Sequence, residues 1–217
     1  MTNSQYLDMG IKERKKRERK RREHEIISAA EAVFSELGFE DATMSDIAQE
    51  AELSKGTLYL YFQSKEELHF AVGLKALNMV TEYIAQKISP EKTGMENVQE
   101  ALPAYLEFSE KYPTHYRAIL EFQSSKLEKI SAEDKSKIFD KGSPLFLLRD
   151  MLSKGVADGS LRSDIDPMQL VAVLWSQLTG LQQFVQYRVK LTELVGLSPE
   201  SMLEKHLQII TEGIKKR

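Results

Sequence analysis

The sequence predicts an all-α fold of about nine helices: an N-terminal three-helix helix-turn-helix domain, followed by a larger C-terminal helical domain. Three observations predict it. From Glu96 onward every segment reads as helix, with none of the sustained period-two alternation a strand needs. Two short helices joined by a tight turn are written between Thr43 and Phe62. Helix-start pairs of the Asp-Pro and Ser-Pro kind recur, at Asp166-Pro167 and Ser198-Pro199, where a cap precedes a proline preset for the first helical position.

In chain order, residues 1–21 read as a basic flexible arm, and Met1 to Ile11 has no periodicity and reads as disordered. The first helix is expected from about Arg22 to Leu37, with Ile26, Ala30, Val33, Phe34 and Leu37 as its apolar stripe and Gly38 as its stop. Thr43 and Asp46 have the spacing of a capping box, and Met44, Ile47, Ala48 and Ala51 follow at helical intervals. A turn at Glu52, Leu53 and Ser54 leads to a helix over Lys55–Phe62, capped by Ser54, with Leu58 and Phe62 inward and Lys55, Thr57, Tyr59 and Tyr61 outward. Gly56 removes a side chain where that helix would come closest to a partner. Such an exposed set suits the major groove of DNA, where side chains meet base edges and phosphates. Ser64 and Glu67 mark a second capping box, opening a long helix from Lys65 to about Ile88 before Pro90. That helix joins the reader to the remainder.

Farther on, Pro103 is expected to kink one helix and Pro113 to separate it from the next. A break near Gly142, Ser143 and Pro144 precedes a helix through Leu147, Leu148, Met151 and Leu152, and Gly155 with Gly159 marks a loop. The helix from Pro167 to about Leu194 is apolar at Leu170, Val171, Val173, Leu174, Leu178, Leu181, Phe184 and Val185; the last helix carries Met202, Leu203, Leu207, Ile209 and Ile210. So broad an apolar surface implies either a deep core or a subunit interface.

The net charge of -3 hides a strong asymmetry. Residues 12–22 hold nine Lys or Arg against two Glu, whereas from Glu23 to Phe70 only Lys55 and Lys65 oppose eleven acidic residues. The arm, ending at Arg21 and Arg22, is expected to reach DNA, which would make binding strongly salt-dependent; the alternative is a solvated tail. With no apolar residue in 12–22, no face of the arm enters a membrane.

The segments TMSDIA, LSKGTLYLYF and SKEEL, in this order and spacing, resemble the DNA-binding domain of the TetR family of transcriptional repressors. The resemblance is specific over roughly Ile26 to Leu68; beyond Leu68 it is one of architecture. It implies a DNA-binding domain over 22–68 and an effector-binding and dimerisation domain over 69–217. It also implies that Thr43, Lys55, Thr57, Tyr59, Tyr61 and Lys65 sit on DNA, with Ser54 and Gly56 framing them. On the same resemblance Tyr59, Tyr61 and Lys65 would lie mostly on phosphates, and Lys55 and Thr57 would read bases. The last two helices would form a four-helix bundle with a second copy, and the middle helices would enclose a small-molecule effector. Candidate lining is Tyr105, Phe108, Tyr116, Phe122, Met151, Trp175, Gln182 and Phe184, which points to an apolar or aromatic compound.

Other classes fit less well. The chain has no cysteine, so thiol sensing and Cys-ligated metal are excluded, and no cofactor is expected. His24, His69, His115 and His206 stand apart from any recognisable catalytic motif, so no enzymatic activity is expected. The longest apolar run, Leu170 to Trp175, is far short of a bilayer span, and a cytoplasmic protein is the simplest expectation. The rival to a ligand-responsive repressor is a DNA-bound architectural or cell-cycle protein of the same fold whose C-terminal half docks another protein.

Overall fold

The computed structural model describes residues 3–121, 128, 132, 144–194, 196 and 198–216. Among these there are nine helices: α1 (Asn3–Asp41), α2 (Met44–Glu50), α3 (Lys55–Tyr59), α4 (Lys65–Ala85), α5 (Gly94–Lys111), α6 (Pro113–Glu121), α7 (Pro144–Ala157), α8 (Pro167–Leu194) and α9 (Pro199–Ile214). Strands are absent from the described residues, and the all-α fold stands. These helices fall into two compact units, the first ending at Lys75 within α4 and the second beginning at Ala76.

The first unit closes around Ile26, Ala29, Ala30, Val33 and Phe34 of α1, Ile47 and Ala48 of α2, Leu58 of α3 and Leu68 of α4, all buried. Gly38 interrupts α1 at φ 79, a conformation open to glycine at little cost, so the chain turns there as its position after the apolar stripe suggested. Leu37, expected in that stripe, is 43% exposed instead. The start of α1 also differs, since the helix begins at Asn3 and the basic run lies on it. Glutamates one turn away explain this: Arg19 pairs with Glu23 at 2.9 Å, Arg21 with Glu18 at 2.6 Å and Arg22 with Glu25 at 2.8 Å. Pairs at these spacings each support a helix modestly, and Lys, Arg and Glu are all good helix formers.

In the second unit Phe108, Tyr116, Val98, Leu152 and Leu161 form the most deeply buried part of a core built from α4 to α9. Asp166 caps α8 by accepting from the amides of Met168 and Gln169, and Ser198 caps α9 by accepting from Ser201 N, as their sequence pairs implied. The break expected at Gly142 and Ser143 lies outside the described residues, as does the side chain of Val185. Leu170, Val171, Leu174 and Leu178 of α8 are buried, whereas Val173 and Phe184 are exposed.

Gly155 corrects the expectation of a loop, because it lies inside α7. It is there for packing. A Cβ on Gly94 would stand 2.0 Å from Gly155 Cα, and one on Gly155 would stand 2.4 Å from Leu161 Cδ1. The close approach lets the loop after α7 cap α5, with Gly94 N donating to Asp158 Oδ2 at 2.8 Å and Met95 N to Ser160 Oγ at 3.0 Å. Adding a methyl at either glycine must push the α5 and α7 backbones away from each other. Gly94→Ala and Gly155→Ala are therefore each expected to lower the unfolding free energy by about 1–3 kcal/mol or more, read as an earlier urea midpoint.

Candidate nucleic-acid interface and internal cavity

Thr43 opens α2 as a complete capping box: its Oγ1 accepts from Ser45 N and Asp46 N, and the Asp46 carboxylate accepts from Thr43 N at 2.9 Å and Thr43 Oγ1 at 2.7 Å. Those Thr43 donors hold the Asp46 carboxyl below its ordinary range. Since the folded value is the lower one, this support is present above the ordinary carboxylate pKa and fades as pH falls through the depressed value. α2 is closed just beyond its end by Glu52, at φ 54, where Glu52 N donates to Gln49 O and Leu53 N to Ala48 O. That is the turn glycine usually makes.

Ser54 then caps α3, accepting from Thr57 N at 3.1 Å. Leu58 and Phe62 are buried as expected, which fixes the opposite face toward solvent. That face consists of Lys55, Gly56, Tyr59 and Leu60. Thr57 and Tyr61 are only half-exposed, on the flank. The expected outward set of Lys55, Thr57, Tyr59 and Tyr61 follows a two-residue interval, and residues two apart on a helix do not share a face. Thr57 Oγ1 also lies 2.8 Å from Ser54 Oγ. Leu60, 72% exposed, takes the place they were expected to fill.

The basic helix α1 brings one residue to this reader that the charge count did not single out. The Arg19 guanidinium lies 5.5 Å from the centre of the Tyr61 ring. Arg21 and Arg22 are engaged with Glu18 and Glu25 on their own helix.

Lys65 has a different place from the phosphate contact expected of it. Its ammonium donates to Phe39 O at 2.6 Å, Glu40 O at 2.9 Å and Ala42 O at 2.8 Å, and lies 4.5 Å from the centre of the Phe39 ring. An ammonium has three donors, and three carbonyls take them. The second capping box is likewise modified: Ser64 Oγ accepts from Glu67 N at 3.1 Å, but the Glu67 carboxylate accepts from Gln63 N at 2.6 Å.

In the second unit a cavity of about 70 Å³ is lined by aliphatic side chains of α4, α5, α7 and α8. Of the sequence candidates it brings together Tyr105, Met151 and Trp175. The Tyr105 hydroxyl lies 3.2 Å from Thr179 Oγ1, and burial pushes its pKa up. Tyr116 packs edge-on against Tyr105 with ring centres 5.8 Å apart, and burial raises its hydroxyl too, so both phenols are neutral. Phe108 is wholly buried in the core, Gln182 is buried and donates to Ser109 Oγ at 2.7 Å, and Phe184 is exposed; none of the three lines the cavity. Phe122 lies outside the described residues. Among the described lining residues none is charged, and Thr81, which sequence inspection passed over, supplies a second hydroxyl.

A family model described as bacterial regulatory proteins of the tetR family matches residues 26–72. The chain is 30% identical over 145 residues to the fatty acid metabolism regulator protein of Bacillus subtilis (strain 168), covering 65% of this chain and 72% of that protein. It is 34% identical over 100 residues to the HTH-type transcriptional regulator YhgD of the same organism, a match that spans 46% of this chain and about half, 51%, of that protein. Among solved structures, a bacterial regulatory protein in the tetR family from Rhodococcus RHA1 superposes with a TM-score of 0.65 at 17% identity, over 90% of this chain and 98% of that one.

Removing the Lys65 ammonium takes the donor from the part-buried carbonyls of Phe39 and Ala42 at the end of α1. Lys65→Met is expected to lower stability by about 1–3 kcal/mol in urea unfolding. Because the group is turned to the frame, the salt dependence of DNA binding should keep its slope, whereas removal of a phosphate-binding cation would flatten it by about 0.9.

Proposed function

From the premise that the chain belongs to the TetR family of bacterial transcriptional regulators, we propose that it is a ligand-responsive repressor that binds a palindromic operator as a homodimer. The observation that carries this reading is the solvent-facing strip of α3, where Lys55 and Tyr59 stand out from a capped, buried frame. Lys55 meets base edges and Tyr59 meets phosphates, Thr57 and Tyr61 border them from the flank, and Ser54 and Gly56 set the distance of approach. Thr43 contributes the cap that aims α2. The basic stretch of α1, with Arg19, Arg21 and Arg22, lies along flanking phosphates.

Two short reading helices on a two-fold site bind with an effective-concentration advantage that a single one lacks. The apolar exposure of the last two helices supports pairing through them: Val173 is 46% exposed, Phe184 38% and Ile209 70%. Val173 and Phe184 are eleven residues apart, about three helical turns, and so share one face of α8.

The cavity supports an apolar or aromatic effector whose buried part is uncharged, since a charge placed among these side chains would lack a partner. A hydrocarbon chain has that chemistry, and one relative is a fatty acid metabolism regulator. At about 70 Å³ the space is well below the roughly 300 Å³ at which ligand pockets begin, so occupancy parts the surrounding helices. That displacement is the means by which ligand binding reaches the reader. Among the described residues no helix is long and apolar enough to cross a membrane, which fits a cytoplasmic regulator.

Selection of genomic fragments by the purified chain should enrich one palindromic site. The double variant Lys55→Ala, Tyr59→Ala should bind it at least tenfold more weakly, at a cost of roughly 1–3 kcal/mol for each base or phosphate interaction removed; unchanged binding would displace the reading face. A chain lacking residues 1–20 should bind more weakly with a flatter salt slope, by about 0.9 for each phosphate no longer neutralised. Filling the cavity with Ala101→Leu should leave operator binding intact and abolish release by the effector, measured by fluorescence anisotropy of labelled operator.

A further inference from the structure

Leu60 is the most exposed large apolar side chain among the described residues, at 72%, and it lies on the reading strip beside Tyr59. Its apolar neighbours in the α2 to α3 region face the other way: Ile47, Ala48, Leu58 and Phe62 are all buried. Gly56, one turn earlier on the same face, has no side chain to screen it, and a Cβ built there would meet only Ser54 Oγ, at 3.9 Å. An isobutyl group held out in this place gains nothing from a phosphate. In the major groove the base edges are lined with hydrogen-bonding nitrogen and oxygen atoms, and the 5-methyl group of thymine is the apolar feature they offer.

We propose that Leu60 reads a thymine methyl group, so that each half of the operator contains a thymine recognised by its methyl rather than by its hydrogen-bonding edge. The inference rests on the DNA-reading role of α3 proposed above. It makes α3 a mixed reader, with Lys55 and Tyr59 supplying polar contacts and Leu60 an apolar one on the same face.

Deoxyuridine tests this directly, because it deletes the methyl and leaves base pairing unchanged. Each thymine of the selected operator is replaced in turn, and binding is measured with the full chain and with Leu60→Ala. At one symmetry-related position, replacement in a single half-site should weaken wild-type binding about fourfold, the worth of one buried methyl at ~0.8 kcal/mol. Leu60→Ala should be indifferent to replacement there, while Lys55→Ala should keep the penalty. The exposure of Leu60 means that Leu60→Ala should unfold at the wild-type urea midpoint, which separates weakened recognition from a weakened fold. Deoxyuridine penalties that persist in full in Leu60→Ala would overturn the inference. So would their absence at every thymine while Lys55→Ala still weakens binding, a result that leaves the reading role of α3 standing. A chain that selects no operator would overturn both.

Discussion

The aim of the reading helix depends on one ammonium group. Lys65 opens α4 and binds the carbonyls of Phe39, Glu40 and Ala42, the last residues before the α2 cap. These carbonyls belong to the segment that follows Gly38, where α1 is interrupted shortly before its end. One side chain thereby fastens the end of α1, the start of α2 and the first residue of α4 together. The α2 to α3 pair hangs between the two fastened ends, and its Ile47, Ala48 and Leu58, with Phe62 just beyond, are buried. An aromatic group, in which the Phe39 and His69 rings are 4.5 Å apart, lies beside the clamp.

Local signals were legible in the sequence wherever the physics is local. The Thr43–Asp46 box, the Ser54, Asp166 and Ser198 caps and the stop at Gly38 each involve groups within a few residues of one another, and the structure contains them all. What escaped is long-range. The Lys65 clamp joins residues 23 to 26 apart in the chain, and the Gly94 to Gly155 approach joins residues still more distant. No periodicity announces either. The face of α3 escaped for a different reason: the two-residue interval from Lys55 to Tyr61 is the period of a strand, whereas a helix puts Tyr59 and Leu60 beside Lys55 and Gly56 and turns Thr57 and Tyr61 to the flank. In α1 a block of like charge suggested a flexible arm, but Glu18, Glu23 and Glu25 stand one turn from Arg21, Arg19 and Arg22, which is a helical arrangement.

For the candidate effector site the legible portion was smaller. Tyr105, Met151 and Trp175 were found because large apolar residues in the middle helices have few other places to go. Phe108 and Phe184 show why residue type alone does not separate a cavity wall from a core filler or an exposed face: both are as aromatic as Tyr105 and Trp175, and only packing distinguishes them. The sharper property of the cavity is the absence of charge among its described lining residues, which restricts ligand chemistry more than the identity of any one aromatic does.

α4 gives the proposed coupling a definite physical form. Its first residue is the Lys65 clamp, and Leu77, Val80 and Ile84 on the same helix are cavity wall. Lys65 and these wall residues belong to one helix, Lys65–Ala85. A ligand that pushes Leu77 and Val80 outward moves that helix or bends it. The ligand's effect is bounded by its preference for the displaced state: a hundredfold loss of operator affinity requires about 2.7 kcal/mol of differential binding. Burying apolar surface contributes about 25 cal/mol per Å², so that preference corresponds to roughly 110 Å² of extra contact in the widened cavity. A compound with a few methylene groups beyond what the small closed cavity holds has that much surface. On this account the ligand's size is what makes it an effector.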